Sequence, residues 1–352
     1  MTVNFVRGAI ASLAVLAVGI SSVQAQTPPP GPPANCAKKG NVQMIIDDSG
    51  SMSSNDSQNL RARAVELFVD QPQNAAKTLG ATEFGSDAKV LFAPGVISAQ
   101  GATMKTTTAA QIQADDGSTN YTAAFAQAAA QNPRADARIF LTDGEPTAGL
   151  PYPESHRGGP VTYVIGFGSA TLDPENQARL QRIASETGGI YFPQTSSADL
   201  QSVVVDISNL LDCQKSAKRV TIPFTAVNQT KPLTDAIAAT TKSVVINTSW
   251  SDPADRFQLV GKITIRSRGR TVATGNVPVA NTPGTQPPIR LAVTSARGKR
   301  KVKKLKITQR PGPTYTSLTV KNPVRGTLRF SIKSVAVSTP TNVTTQITQS
   351  SR

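Results

Sequence analysis

The sequence has almost no histidine, the side chain that most often acts as a general acid or base in enzymes. His156 is the only one among 352 residues, and no nucleophile motif accompanies it in the surrounding segment YPESHRGGP. Phosphate-binding loops are missing as well: there is no P-loop, and GFGSA at 166–170 lacks the third glycine of a dinucleotide-binding loop. We therefore expect a protein that is not an enzyme, with a hydrolase or the regulatory subunit of one as the least favoured alternative.

Long hydrophobic runs are also absent, apart from one short stretch near the N-terminus. Arg7 precedes an apolar segment from Ala9 to Ile20, which is about half of the roughly 20 residues that a membrane-spanning helix requires. Val23 and Ala25 then stand at the spacing of a signal-peptidase site. These features predict a signal peptide at 1–25 and a protein that is secreted, periplasmic or on the cell surface. A retained membrane anchor is the alternative.

Cysteine is scarce, since Cys36 and Cys213 are the only two in the chain. One pairing is therefore available, and an exported protein would meet the oxidising conditions in which disulfides persist. In the chain-entropy model, closing so long a loop stabilises the fold by about 5 kcal/mol, less any strain. We expect a Cys36–Cys213 disulfide, with two unrelated buried thiols as the alternative.

Acidic residues are almost missing from the C-terminal part of the chain. Residues 214–352 contain 24 Lys and Arg but only three acids, Asp235, Asp252 and Asp255, so they carry a net charge of +21. Residues 1–213 carry a net charge of −6, from 13 Lys and Arg and 19 Asp and Glu. So sharp a change of charge predicts two domains with different surfaces, and Cys213 lies at their boundary.

Hydrophobic patterning supports the same division. After a proline-rich linker at 26–40, apolar strands alternate with amphipathic helices over 41–213, which predicts an α/β domain. Its sheet is expected to be Rossmann-like, open and mostly parallel, with helices on both faces. From 218 to 338, short β-rich runs separated by turn residues predict an all-β sandwich, and residues 339–352 are expected to form a polar tail.

The first apolar strand ends in a cluster of oxygen-bearing side chains, IIDDSGS at 45–51. In an open α/β sheet, ligands bind at the loops that leave the carboxyl ends of the strands. Asp47, Ser49 and Ser51 stand at alternate positions of this loop. Thr119 begins a predicted helix, and Asp143 follows a later strand. Since carboxylates, hydroxyls and water are the ligands of hard divalent cations, these five residues predict a metal site.

The five residues match, position by position, the metal-ion-dependent adhesion site of the von Willebrand factor type A domain, which reads D-x-S-x-S followed by T and D. Residues 41–212 resemble that family. The resemblance implies a bound Mg²⁺, with Mn²⁺ or Ca²⁺ as substitutes, and an open coordination position for a Glu or Asp side chain of a partner protein. Asp48, at the variable position, is expected to point away from the metal. Alternatively, these are only turn and capping residues in a domain that has lost its metal.

The basic domain leaves two interpretations open. The segment RGKRKVKKLK at 297–306 fits either a solvated edge strand or a surface that docks on an anionic polymer. Because no aromatic residue is interleaved with its lysines, nucleic acid is not expected as a partner. Two segments, INTSWSDPADRFQL and YTSLTVKNPVRGTLRFSI, resemble the β-sandwich that follows the A domain in some secreted bacterial proteins. Leu328 stands where that pattern has tryptophan.

The sequence thus favours an exported adhesion-type protein that engages a partner's carboxylate through a divalent cation. The alternative is a structural or envelope-assembly scaffold whose basic sandwich binds an anionic surface. Metal dependence of partner binding distinguishes the two.

Overall fold

The computed structural model describes residues 24–25, 31–32, 34–150, 156–194, 199–214, 216–277 and 302–351. The predicted signal peptide, apart from Gln24 and Ala25, lies outside these ranges, as do residues 26–30 and 33 of the proline-rich linker and residues 297–301 of the basic segment. None of the helices in the described ranges reaches the length and apolarity that a membrane crossing requires.

The N-terminal part of the described chain contains the helices and a mixed sheet. The strands of the mixed sheet are β2 (Asn41–Asp47), β3 (Thr78–Phe84), β4 (Ala88–Val96), β5 (Ala137–Thr142), β6 (Val161–Phe167) and β7 (Tyr191–Gln194). Strand β1 (Gln24–Ala25) precedes them and belongs to a sheet of the C-terminal part. The α-helices are α1 (Met52–Asn55), α2 (Leu60–Asp70), α3 (Ile97–Gln111), α4 (Tyr121–Gln131), α5 (Pro174–Glu186) and α6 (Leu200–Leu211). Two short 3₁₀ helices lie at Pro72–Asn74 and Ser169–Leu172.

The mixed sheet has the strand order β4-β3-β2-β5-β6-β7, in which only β4 runs antiparallel to its neighbour. Strand β2 is central and is buried on both faces, as its nearly continuous apolar sequence predicts. Met44 and Ile46 pack in a core with α2 and α6, whereas Ile45 packs in a second core with α4 and α5. The predicted α/β architecture with helices on both faces is therefore confirmed.

The C-terminal part of the chain consists of strands. They are β8 (Ser216–Phe224), β9 (Thr230–Ile237), β10 (Thr241–Ser249), β11 (Arg256–Ser267), β12 (Arg270–Asn276), β13 (Lys303–Lys304), β14 (Lys306–Pro311), β15 (Tyr315–Lys321), β16 (Gly326–Ala336) and β17 (Thr341–Ser351). One sheet has the order β1-β8-β17-β10-β15-β14 and the other β13-β12-β11-β16-β9. All pairings are antiparallel except that of β12 with β13. A shared apolar core lies between the two sheets, which confirms the β-sandwich.

The predicted polar tail at 339–352 is wrong, because strand β17 occupies most of it. This strand lies between β8 and β10, in the interior of the six-stranded sheet. Val343 and Ile347 on one face enter the sandwich core. On the other face, Gln346 donates a hydrogen bond to helix α6, and Thr348 accepts one from it. The strand looks like a tail in the sequence because one of its faces meets a polar interface instead of an apolar core.

Helix α6 lies between the two domains, and all its residues are buried. Asp206 forms an ion pair with Arg219 of β8 and accepts a hydrogen bond of 2.9 Å from Gln346 of β17. Asn209 donates to Ser216 and Thr348, each at 2.9 Å. Hydrogen bonds to charged groups contribute more to stability than neutral ones, so this contact fixes the sandwich against the helix.

The Cys36–Cys213 disulfide is present, with a Cα–Cα distance of 5.6 Å. It joins the segment before β2 to Cys213, two residues beyond the end of α6, across a sequence separation of 177 residues. Both ends of the first domain are therefore held at the boundary with the sandwich.

Candidate metal centre

Strand β2 ends at the first of the candidate ligands. Asp47 is fully buried, and its carboxylate is held on both oxygens. Oδ1 accepts the backbone N–H of Ser49 at 2.9 Å, and Oδ2 accepts the hydroxyl of Thr142 at 2.6 Å. Because Thr142 ends β5, the parallel neighbour of β2, this bond joins two strand ends at the carboxyl edge of the sheet.

The two serines connect this loop to the carboxylate that follows β5. The hydroxyls of Ser49 and Ser51 lie 3.2 Å apart, and Ser51 donates to Oδ1 of Asp143 at 2.8 Å. The loop between them approaches the segment before α4, since Gly50 N–H donates to the carbonyl of Gly117 at 2.9 Å. Side chains that are 92 residues apart in sequence thus converge at one edge of the sheet.

Thr119 lies in the loop that leads into α4, as its sequence position predicts. It is 5% exposed, and its backbone carbonyl accepts the N–H groups of Thr147 and Ala148. A Cβ atom added at Gly144 would lie 3.8 Å from the Thr119 hydroxyl, so this hydroxyl is adjacent to the turn that follows Asp143. The loops after β2, before α4 and after β5 therefore meet at the same place.

The carboxylates of Asp47 and Asp143 have too little positive charge near them to balance their negative charges. Burial, followed by repulsion from Asp143, raises the pKa of Asp47 to about 7. Burial also raises the pKa of Asp143, although hydrogen bonds from Asn55 and Ser51 oppose that shift. A divalent cation at this point would relieve both effects, because it favours the ionised form of each carboxylate.

The chemistry of the available ligand atoms determines which cations the site can bind. The described residues contain no group of three or more His, Cys, Asp or Glu side chains placed to hold a metal ion. A cation here would depend on hydroxyls and water in addition to the two carboxylates, and all of these are hard oxygen ligands. The residues present therefore fit Mg²⁺, Mn²⁺ or Ca²⁺ and not a soft metal, which prefers thiolate ligands.

Asn55 is a member of the site that the sequence interpretation missed. It ends the short helix α1, and its Nδ2 donates to Oδ2 of Asp143 at 2.9 Å. Ser51 and Asn55 therefore bind the two oxygens of one carboxylate and fix its orientation. The available signal was the four-residue spacing from Ser51, which places both side chains on the same side of a helical turn.

Asp48 points away from the candidate ligands and is held by a buried arginine. Arg61 of α2 is 1% exposed, and its guanidinium binds Asp48 at 2.6 Å and Asp56 at 2.9 Å. The carboxylate of Asp48 also accepts the backbone N–H groups of Gln113 and Ala114. We call Arg61, Asp48 and Asp56 the buried ion cluster. It fixes the backbone on the C-terminal side of Asp47.

We expect the stabilisation of the protein by Mg²⁺ to increase with pH. A carboxyl whose pKa is higher in the folded than in the unfolded protein stabilises the fold when the pH is below its pKa in the unfolded state. That stabilisation is lost as the pH rises through the pKa in the folded state, which is about 7 for Asp47. Mg²⁺ binds the ionised carboxylate, so it competes with protons at low pH. Melting temperatures measured with Mg²⁺ and with EDTA should therefore differ more at about pH 8 than at about pH 5.5.

The variant Asp47→Asn is the control for this pH dependence, because its side chain cannot ionise. It should show little Mg²⁺ effect at either pH. Equal Mg²⁺ shifts at both pH values in the wild type would contradict the assignment of Asp47 as a ligand.

Comparison with known families supports the resemblance seen in the sequence. Residues 41–206 match the family model described as the von Willebrand factor type A domain. No curated protein matches the chain.

Several solved structures are similar to the chain at low identity. A von Willebrand factor type A protein from Catenulispora acidiphila is 13% identical, with a TM-score of 0.42 over 90% of this chain and 63% of its own. The pilus adhesin SpaC from Lactobacillus rhamnosus GG is 12% identical, with a TM-score of 0.43 over 86% of this chain and 40% of its own. Proximal thread matrix protein 1 from the mussel byssus, with a zinc-occupied MIDAS motif, is 16% identical, with a TM-score of 0.39 over 53% of this chain and 50% of its own. This chain thus spans less than two thirds of each, and the match to the family model covers residues 41–206, just under half of the chain.

Proposed function

We propose that this chain, whose residues 41–206 match the von Willebrand factor type A domain, is an exported binding protein of the adhesion type. A divalent cation held by Asp47, Ser49, Ser51, Thr119 and Asp143 would engage an acidic side chain of a partner protein. The observation that supports this most is the hydrogen-bonded series from Ser49 through Ser51 to Asp143 at the carboxyl edge of the sheet.

The ligand set explains why such a cation would attract an outside carboxylate. Asp47 is already bonded on both oxygens by Ser49 and Thr142, and the remaining ligands apart from Asp143 are neutral hydroxyls. The three hydroxyls add no negative charge, and the charge of Asp47 is shared with its hydrogen-bond donors, so the cation would remain a strong acceptor of anionic oxygen. The carboxylate of a partner would fill the open coordination position.

The site is open on the side that a partner would approach. Asp47, Ser49 and Asp143 are buried, whereas Ser51, Ser118 and Glu145 at the rim are exposed. The buried side chains would thus hold the cation on the side of the protein interior, and the exposed rim leaves access for a side chain of another protein.

Catalysis is not part of the proposal. von Willebrand factor type A domains generally mediate binding, and the one histidine of the chain packs its ring against Phe125, with the centroids 4.6 Å apart. Export is consistent with the Cys36–Cys213 disulfide, because disulfides persist in oxidising compartments.

The test is a pull-down of surface proteins on the immobilised full-length chain, in Mg²⁺ and in EDTA. We expect one or more proteins to be retained in Mg²⁺ and released by EDTA. Asp143→Ala should lose the same proteins, whereas Glu175→Gln, which changes an exposed acid on α5, should retain them. Retention that is unchanged by EDTA and by Asp143→Ala would contradict a metal-dependent contact and would favour the scaffold alternative.

A further inference from the structure

A cavity of about 580 Å³ lies between the two domains, within the size range of ligand-binding sites. One wall comes from the end of α2 and the start of α3, and the other from strands β14 and β15 of the sandwich. It does not include any candidate metal ligand, so its ligand chemistry is separate from that of the metal centre. We call it the interdomain cleft.

The sandwich wall of the cleft carries an unusual pair of like charges. Lys306 of β14 and Lys321 of β15 are direct cross-strand partners, and both are exposed. Like charges placed directly opposite each other destabilise a sheet. Among the described residues, no carboxylate forms an ion pair with either lysine. An anion bound between them would turn this repulsion into attraction.

Arg310 faces the same space, and the charge of Asp70, the only acid among the described lining residues, is balanced by Lys105. Asp70 accepts from Lys105 at 3.0 and 3.2 Å, and the hydroxyl of Tyr315 donates to its Oδ2 at 2.6 Å. Arg310 donates one N–H to the backbone carbonyl of Asp70 at 3.0 Å. A guanidinium has five donors, so this bond positions Arg310 and leaves it able to bind a ligand as well.

The spacing of the cations suits an extended ligand with several charges. Lys306, Thr308 and Arg310 alternate along β14 and are turned outward, while Ile307 and Gln309 between them are buried. Thr308 pairs with Thr319 of the neighbouring strand, so hydroxyls lie between the charges. Hydroxyls between cations are suited to a ligand that offers both anionic and hydroxyl groups. No aromatic ring is among the described lining residues, so nothing there would stack on a nucleic acid base.

We infer that the interdomain cleft binds a segment of an anionic polysaccharide that carries sulfate or phosphate esters, through Lys306, Lys321 and Arg310. The ester groups are bound by the cations in charge-assisted hydrogen bonds, and Thr308 and Thr319 bind the sugar hydroxyls. This site lies outside the proposed function, because it needs neither the divalent cation nor a partner carboxylate. It uses both domains, so a ligand there would also bridge them.

The test is the affinity of the full-length chain for a heparin-derived hexasaccharide, measured by calorimetry in EDTA and at low and high salt. We expect binding in EDTA that weakens as salt increases, because exposed charges are screened. Lys306→Ser with Lys321→Ser should weaken binding about tenfold or more, because the double variant removes two of the cations that bind the ester groups. EDTA removes any contribution of the metal centre, so a failure here is distinct from a failure of the proposed function.

A charge-matched control separates the cleft from the general basicity of the domain. Arg256→Ser with Lys262→Ser removes the same charge from exposed positions of β11 in the other sheet, and should leave the affinity nearly unchanged. Equal loss in the two double variants would overturn the assignment of the cleft. So would the absence of hexasaccharide binding, or binding of an oligoglutamate peptide or oligothymidine as tight as that of the saccharide.

The stability of the cleft variants gives a second readout. Because the two lysines repel each other, Lys306→Ser should raise the melting temperature of the ligand-free protein, or at least leave it unchanged, while it weakens saccharide binding. If Lys306 only stabilised the fold, its replacement would lower the stability of the protein. A lower melting temperature of Lys306→Ser would therefore contradict the role given to the lysine pair.

Discussion

Arg61→Leu is expected to lower the free energy of unfolding of the first domain by about 3–5 kcal/mol, the range seen when one partner of a buried ion pair is removed. Arg61 is 1% exposed and binds both Asp48 and Asp56. Without the guanidinium, two buried carboxylates lose their counter-charge and must either protonate or draw in water. The expected loss is a large share of the roughly 5–15 kcal/mol that stabilises a typical protein.

Urea denaturation of the full-length chain measures this loss, with Arg179→Leu as the matched control. Arg179 lies on α5, and the side chain of its ion-pair partner Glu175 is 85% exposed. The control should lose no more than about 1 kcal/mol. Adding Asp48→Asn to Arg61→Leu should recover part of the stability, because it removes one uncompensated charge. Equal losses in the two single variants would contradict the importance of the buried ion cluster.

The second large effect is expected at the metal centre. Saturating Mg²⁺ or Mn²⁺ should raise the melting temperature of the wild type, since a ligand at 100 times its Kd stabilises the folded state by about 2.7 kcal/mol. Asp47→Ala combined with Asp143→Ala should abolish this increase, because it removes both carboxylates from the site. Differential scanning fluorimetry with and without the cation measures the shift.

The buried ion cluster provides a control for the metal effect. Asp48→Asn changes a neighbouring carboxylate that points to Arg61, not to the candidate ligands. It should lower the stability of the protein but retain the cation-induced increase in melting temperature. An equal increase in the wild type and in the double alanine variant would show that the cation acts elsewhere.

Much of the first domain could be predicted because its sequence patterns are strong. Strand β2 is mostly apolar, and α5 is preceded by Asp173, whose side chain accepts the N–H groups of Glu175 and Asn176 as a helix cap. Helix α3 was not anticipated. Its buried residues Ile97, Gly101, Met104 and Thr108 have helical spacing, but two of them are too small or too polar to give a hydrophobic stripe.

The ligands of the candidate site could be predicted from the types of residue in the loops. The contacts that support those ligands could not be predicted. Asp47 and Asp143 follow apolar strands, and a parallel sheet brings such strand ends to one edge. The bond from Asn55 to Asp143 and the bond from Arg61 to Asp48 depend on how α1 and α2 pack after the loop. Sequence spacing gives no measure of those orientations.

The interdomain contacts were the least predictable part of the fold. Strand β17 has few large apolar residues, because Gln346 and Thr348 face polar side chains of α6. A prediction based on hydrophobic alternation cannot recognise a strand whose second face is a polar interface between domains.

The most direct measurement is the location of a bound cation by anomalous diffraction from crystals of the wild type grown with Mn²⁺. We expect a single strong peak at the carboxyl edge of the mixed sheet, among Asp47, Ser49, Ser51, Thr119 and Asp143, and no such peak in Asp143→Ala. A peak at another position, or none at this one in the wild type, would contradict a metal-dependent binding function for the domain.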